Sequence, residues 1–379
     1  MRLKNATVYD NTFTPKSLDI LVDGERIQGL VPWDDSADGI DLTGMTVIPG
    51  MIDIHIHGYG GADSVDGTFE ALETMSTRLA AHGVTNFCPT SLTLPEETLS
   101  RIFTGVAKHR DRVTGAYPVG INMEGPYISP ARVGGQNPAY VRKPDAAEFE
   151  RLNAECGGLI RLVDMAPEED DGTFIRKVSP SCTVSVAHTN ATYEQACDAF
   201  AAGCRHVTHL YNAMPGLNHR QPGVVGAAFD CAEPYDLMAE LICDGKHIHP
   251  AALRTAFSVL GEDHTVIISD ALSAAGTGDG RMVSGGLPVI VKNGLAYLED
   301  GTIAGSTTNL EDELKNVICG YNIPVRQAIK SVTLNPAKAI REDSRRGTVE
   351  EGKIADLTVL DSQWNVVMTV VSGSIVYQR

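Results

Sequence analysis

The chain has 379 residues, enough to bury a large core without disulfide or metal staples. Its 43% hydrophobic and 21% charged residues are ordinary for a globular protein, and 37 glycines and 19 prolines exclude a collagen-like or low-complexity chain. With 31 Lys and Arg against 48 Asp and Glu, the formal charge is −17, which argues against nucleic acid or an anionic membrane as partner.

An acidic chain of this kind repels anionic small molecules, so a phosphate-bearing substrate would need a local basic pocket. No apolar run reaches the ~18 residues of a membrane-spanning helix. The opening MRLKNATVYD lacks the apolar stretch of a signal peptide. The eight cysteines form no C-x-x-C pair, and several lie in apolar runs, as Cys88 does in NFCPT and Cys243 in LICDG. That is the pattern of reduced, buried thiols and predicts a cytoplasmic protein.

In chain order, the first segments read as short strands. LKNATVYD, DILVDGERIQGLV and MTVIPG alternate apolar and polar residues and are broken at Asp-Gly or Gly. The end reads alike, in GTVEEGKIADLTVLD and VVMTVVSGSIVYQR. The two ends therefore predict one small β-sandwich domain, built from residues 1–48 and 341–379. Between them, over 49–340, eight apolar strand-like runs occur. They are Met51–His57, Val84–Pro89, Val119–Glu124, Leu159–Ala166, Cys182–His188, Arg205–His209, Leu237–Asp244 and Thr265–Asp270. Phe69, Leu72, Met75 and Leu79 recur at helical spacing, with Gly83 as the expected C-cap. Pro95 suits the first turn of another helix, and Asn190 is placed to cap a helix over Tyr193–Ala202 that ends at Gly203. Eight strands alternating with helices predict an α/β fold, a (β/α)8 TIM-type barrel.

The polar residues sit at strand ends. His55 and His57 close the first strand, and strand alternation turns both imidazoles to one side. Glu124 ends the third strand, His188 the fifth, His209 the sixth and Asp270 the eighth. In a barrel these ends form one mouth, where active sites lie. A single strand-end histidine is ordinary, but five such ends together point to a metal site. Imidazole and carboxylate ligands suit Zn, Fe, Mn, Co or Ni as a divalent ion. Asp270 is the candidate general base and acid. His82, His109, His206, His249 and His264 lack this placement and read as surface or core histidines. Gly276, Gly278 and Gly280 predict a mobile loop after the eighth strand, and their register does not make a dinucleotide fingerprint.

PGMIDIHIHG, the later strand-end His, His and Asp, and the closing TLNPAKAI and RRGTVEEGKIADLTVLD together resemble the amidohydrolase superfamily. MEGPYISP, AHTNATYEQ, THLYNAMPG, HRQPGVVGAAFD, DGKHI, SDALSAAG and TIAGST, in that order, resemble its N-acetylglucosamine-6-phosphate deacetylase family. The resemblance runs from about residue 40 to about residue 361. It implies metal ligands at Glu124, His188 and His209, with His55 and His57 allowing a second ion, hence one or two per subunit. Glu124 stands where many dinuclear members carry a carboxylated lysine. The catalytic aspartate carries over to Asp270. The phosphate of the implied sugar substrate falls to Arg220 and His247, helped by Asn212 and Ala213. In some family members that arginine comes from a neighbouring subunit, which implies a homodimer. Hydrolysis of an N-acetyl phosphosugar, in amino-sugar catabolism or recycling, is the implied activity. Two positions depart from the family. Gln136, a candidate substrate-binding residue, stands in GGQNP where histidine is usual; it keeps hydrogen-bonding capacity but cannot titrate. Gln221 stands in HRQPG where glutamate is frequent.

Four other functions fit parts of the pattern. An N-acetylgalactosamine-6-phosphate deacetylase differs only in the sugar's C4 hydroxyl. An N-acyl amino acid hydrolase or a base deaminase would lack the Arg220 and His247 pair. A non-catalytic sugar-phosphate sensor would have been favoured by loss of a ligand or of the aspartate.

Overall fold

The computed structural model describes residues 1–284 and 286–379. All eight expected central strands are present, at Met51–Ile56, Val84–Pro89, Ile121–Tyr127, Ile160–Met165, Thr183–Val186, His206–Val207, Met238–Ile242 and Thr265–Ile268. They are called here the first to eighth strands. The first two pair in parallel, and the third to eighth form one parallel sheet in chain order. Nearly every residue in these strands is buried, which is why they read as continuous apolar runs rather than as alternating ones.

The two parallel sheets meet on both sides. Thr90, just past the second strand, bridges in parallel to Asn122 in the third. On the other side the Asp270 N–H donates to the His55 carbonyl at 3.0 Å, and the His57 N–H to the Ala271 carbonyl at 2.9 Å. Helices follow the strands and pack on them through one large apolar cluster. Helix Phe69–Ala80 contributes Leu72, Met75 and Leu79, and helix Glu96–His109 contributes Leu99, Ile102 and Phe103. Each such side chain, fully buried, stabilises by about 1.5–3 kcal/mol. A separate cluster holds Leu162, Met238, Ile242, Val266 and Ile268, closed by Ala337 and Ile340. Leu162 shares its strand face with Asp164, and Met238 and Ile242 share theirs with Glu240. An apolar plug thus underlies the polar residues of the site.

Strands from both ends of the chain form one eight-stranded sheet. Its main path runs from Ser374–Gln378 through Val366–Val371, Leu357–Leu360, Thr46–Pro49, Arg2–Tyr9 and Pro15–Asp23 to Arg26–Pro32. The sheet is continuous and curls over its own core of Val8, Ile20, Val47, Leu357 and Val370. Arg26 returns to bridge Ile354, and the Ile27 N–H donates to the Lys353 carbonyl at 2.9 Å.

Three local expectations change. Helix Phe69–Ala80 stops before Gly83: Ala81 is its C-cap, and Gly83, at φ +78°, completes the turn two residues later. A Cβ at Gly83 would lie 2.6 Å from Thr358 Cγ2, so close approach to the terminal sheet demands glycine there. Helix Tyr193–Ala202 is capped by Thr192, whose hydroxyl and Gln195 form a capping box; Asn190 lies outside it. The glycine-rich stretch after the eighth strand leads into an ordered four-stranded antiparallel sheet. Its strands are Gly280–Ser284, Leu287–Lys292, Leu295–Tyr297 and Ile303–Ser306. Gly276 and Gly278 make the turn before it at positive φ, whereas Gly280 already belongs to its first strand.

Candidate active site

The side chains of His55, His57, Glu124, His188, His209 and Asp270 converge beyond the C-terminal strand ends. Glu124 is the centre. Its Oε1 lies 3.1 Å from Nε2 of both His188 and His209, and its Oε2 lies 3.3 Å from His57 Nε2. Asp270 Oδ1 lies 3.3 Å from His57 Nε2 and 3.5 Å from His55 Nε2. Three ligand triads result among the described residues: Glu124 with His188 and His209, His55 with His57 and Asp270, and His55 with Glu124 and Asp164. Each set of donor atoms lies within 4.8 Å.

The backbone aims three of these groups. His188, His209 and Asp270 have φ of +41°, +30° and +46°, a left-handed conformation costly for residues with a Cβ. Each strand breaks off sharply at its functional residue, and the break turns the side chain into the cluster.

Electrostatics knit the cluster together. Burial alone would raise the Glu124 carboxyl, but the charge of His55 and hydrogen bonds from His188, His209 and His57 hold it well below the ordinary range. For Asp270 burial is likewise outweighed, by the His57 hydrogen bond and the charge of His55, so it stays ionised. His57 runs the other way: burial lowers it, yet the hydrogen bonds to Asp270 and Glu124 carry it up to about 9. Gln136 supports Glu124. Its Nε2 donates to Glu124 Oε2, and its Oε1 accepts from the Thr93 N–H at 2.6 Å.

These donors fit a divalent metal ion. His55 Nε2 is buried without a hydrogen-bond partner, and so is His57 Nδ1. A nitrogen and oxygen set of this kind is the chemistry that Zn, Fe, Mn, Co and Ni share.

Above the cluster lies a cavity of about 400 Å³. Gln136, Asn212, Ala213 and His247 line it together with His57, Glu124, His188, His209 and Asp270. The His247 Nδ1 lies 2.8 Å from Asp244 Oδ2, and its Nε2 is buried with no partner. Arg220 is not in this wall. It lines a second cavity of about 490 Å³ beside the first.

Other contributors went unread in the sequence. Glu240, in the seventh strand, accepts from His55 and from the His209 N–H. Behind it His206 Nε2 lies 3.6 Å from Glu240 Oε1, and its Nδ1 reaches Ser185 at 2.9 Å. Thr208 continues this buried chain to Asp164 at 2.9 Å. Burial pushes Asp164 well above the usual carboxylate range. Thr302 to Gly305, from the inserted sheet, form one wall of the cavity. Three other histidines serve structure: His82 pairs with Glu311 at 2.8 Å, His249 caps helix Pro250–Leu260, and His264 meets Glu233 at 3.0 Å.

The Amidohydrolase family profile matches residues 46–376. The chain belongs to the amidohydrolase family. Within this family the chain is 38% identical to the N-acetylglucosamine-6-phosphate deacetylase of Bacillus subtilis over 338 residues, 87% of this chain and 84% of that one. It is 33% identical to the Haemophilus influenzae enzyme of the same name, covering 98% of both. An N-acetylgalactosamine-6-phosphate deacetylase of Escherichia coli O157:H7 is also 33% identical, over 86% of each chain. Among solved amidohydrolase structures, a point mutant of the Mycobacterium smegmatis N-acetyl-D-glucosamine-6-phosphate deacetylase, in complex with N-acetyl-D-glucosamine-6-phosphate, superposes with a TM-score of 0.92. It is 30% identical and covers 100% of this chain and 99% of its own.

Proposed function

We propose that the protein hydrolyses the N-acetyl group of N-acetylglucosamine 6-phosphate, giving acetate and glucosamine 6-phosphate. The observation that carries this reading is one cavity lined by Glu124, His188, His209 and Asp270 and also by His247, Asn212 and Ala213. A hydrolytic centre and a set of anion donors thus face the same space.

Glu124, His188 and His209 would hold one metal ion; His55, His57 and Asp270 supply donors for a second. A divalent ion bound there lowers the pKa of water and polarises an amide carbonyl. Asp270 enters the reaction as a carboxylate. It takes a proton from the attacking water and then delivers it to the leaving amine, so the C–N bond breaks to a neutral amine and acetic acid, which ionises to acetate by releasing its proton to solvent. His247, oriented by Asp244, offers Nε2 to the phosphate. Asn212 is held by the His209 carbonyl at 3.2 Å, which ties sugar binding to a metal ligand.

Several further features belong to the same proposal. The parallel strands close as a (β/α)8 TIM-type barrel over 49–340, supported by the Thr90–Asn122 bridge and the Asp270–His55 backbone bond. Residues 1–48 and 341–379 form the second domain. The protein works as a homodimer, in which the exposed Arg220 reaches the partner's cavity; its absence from its own cavity supports that role. Eight free cysteines support a cytoplasmic setting. Among the described residues, no helix is long and apolar enough to cross a membrane.

The test is acetate release by metal-reconstituted protein, with N-acetylglucosamine 6-phosphate and N-acetylglucosamine compared. Fast release from the phosphorylated sugar alone is expected. Equal rates would remove the phosphate pocket, and no release from either would remove the reaction. The likeness to the Escherichia coli relative favours the galactosamine epimer as a second substrate, to be run alongside.

A further inference from the structure

The catalytic cavity carries one permanent positive charge. Among the described residues, Arg132 is its single lysine or arginine. Arg132 also lines the second cavity, the one that holds Arg220, so it stands in the wall between the two.

The side chain is set but not used up. Its Nε donates to Asn190 Oδ1 at 3.1 Å, and among the described residues no protein acceptor engages either Nη. Its own carbonyl accepts from His188 Nδ1 at 2.9 Å, which fixes the backbone to a metal ligand. Gly134 and Gly135 follow. A Cβ on Gly134 would lie 3.2 Å from His188 Cε1, and one on Gly135 would lie 3.0 Å from Ala304 Cα. The backbone of this segment is therefore pressed between the cluster and the inserted sheet.

We propose that Arg132 binds the substrate phosphate from within the same subunit, together with His247, which lines the same cavity. This rests on the phosphosugar reading above. A dianion entering a chain of formal charge −17 needs a cation where it desolvates, and a guanidinium presents two parallel N–H donors to phosphate oxygens. The Nε bond to Asn190 anchors the guanidinium at the wall between the two cavities, so Asn190 is the positioning residue for this contact. Phosphate selectivity is then built into each subunit, and Arg220 adds to it.

The experiment compares metal-loaded wild type with Arg132→Met and Arg132→Lys. For each, kcat/KM is measured with N-acetylglucosamine 6-phosphate and with N-acetylglucosamine. The ratio of the two is expected to fall about 10–100-fold in Arg132→Met, mainly through KM, as for a lost charge-assisted hydrogen bond. Arg132→Lys restores part of it, keeping the charge but not the fork. A ratio within twofold of wild type in Arg132→Met would overturn the proposal. Should wild type turn over neither sugar, the reaction reading fails by itself, and calorimetric titration with inorganic phosphate still decides. At least tenfold tighter binding by wild type than by Arg132→Met sustains the phosphate role, and equal affinity ends it.

Discussion

One oxygen of Glu240 accepts from both the Nδ1 of His55 and the backbone N–H of His209, each at 3.0 Å. A single buried carboxylate thus orients a ligand of one triad and the backbone that carries a ligand of another. It fixes the His55 tautomer with the proton on Nδ1, leaving Nε2 free to ligate.

Glu240→Ala is therefore expected to weaken metal binding by about 10–100-fold. Glu240→Gln, which keeps an acceptor oxygen, should lose less. Competition with a coloured chelator measures both.

Asp270→Asn removes the proton carrier while keeping the shape. Turnover should fall by about 10²–10⁴-fold, with melting temperature close to wild type. A metal-loaded Asp270→Asn protein with near-normal turnover would displace Asp270 from its role. The proton step would then need another group in the cavity.

The raised His57 gives metal removal a pH signature. In the chelated protein His57 titrates at about 9, against about 6.5 when unfolded. Its contribution to stability is full below pH ~6.5 and is lost as pH rises through about 9. Melting temperature of the chelated protein should fall across that window, and His57→Gln should flatten the slope. Metal affinity should rise over the same range, because binding displaces the His57 proton.

How much of this was legible in the sequence depended on where polarity interrupts apolar runs. His55, His188, His209 and Asp270 stand at or just past the ends of buried strands, so their convergence followed from counting strands; Glu124, expected at such an end, lies inside a third strand that runs on to Tyr127. Glu240 and Asp164 lie inside such strands, where a lone carboxylate reads as an outward-facing residue. Only the tertiary fold turns them toward His55 and Thr208. The left-handed breaks at His188, His209 and Asp270 fall on residue types that reach positive φ more readily than most, but that preference is too weak to mark a break in the sequence. Gly276 and Gly278 suggested a loop because they do make a turn; the short strands behind them were masked by it. Arg220 was assigned to the phosphate by motif and lines the second cavity of its own subunit, whereas Arg132 lay unread in ARVGGQNP, between the stronger MEGPYISP and GGQNP.

Gly134 offers a test of loop placement. Gly134→Ala meets both a positive φ of +59° and the His188 ring. Gly157→Ala meets a φ of +70° but open space. Both should lose about 1 kcal/mol of stability from backbone strain, read by denaturant unfolding. Only Gly134→Ala should also raise KM, since it alone displaces the segment that carries Arg132 and Gln136.

The inserted sheet leaves and rejoins the chain at one point. Leu272 N–H donates to the Ser306 carbonyl at 3.1 Å, and Ser306 N–H to the Asp270 carbonyl at 2.9 Å. The excursion is a loop stapled shut at the base of the catalytic aspartate. Its outer strands can change in length or sequence at little cost in loop-closure entropy. The staple keeps such drift from reaching Asp270. Homologues with unlike sugar preferences can therefore diverge in this excursion while the proton-transfer geometry is inherited intact.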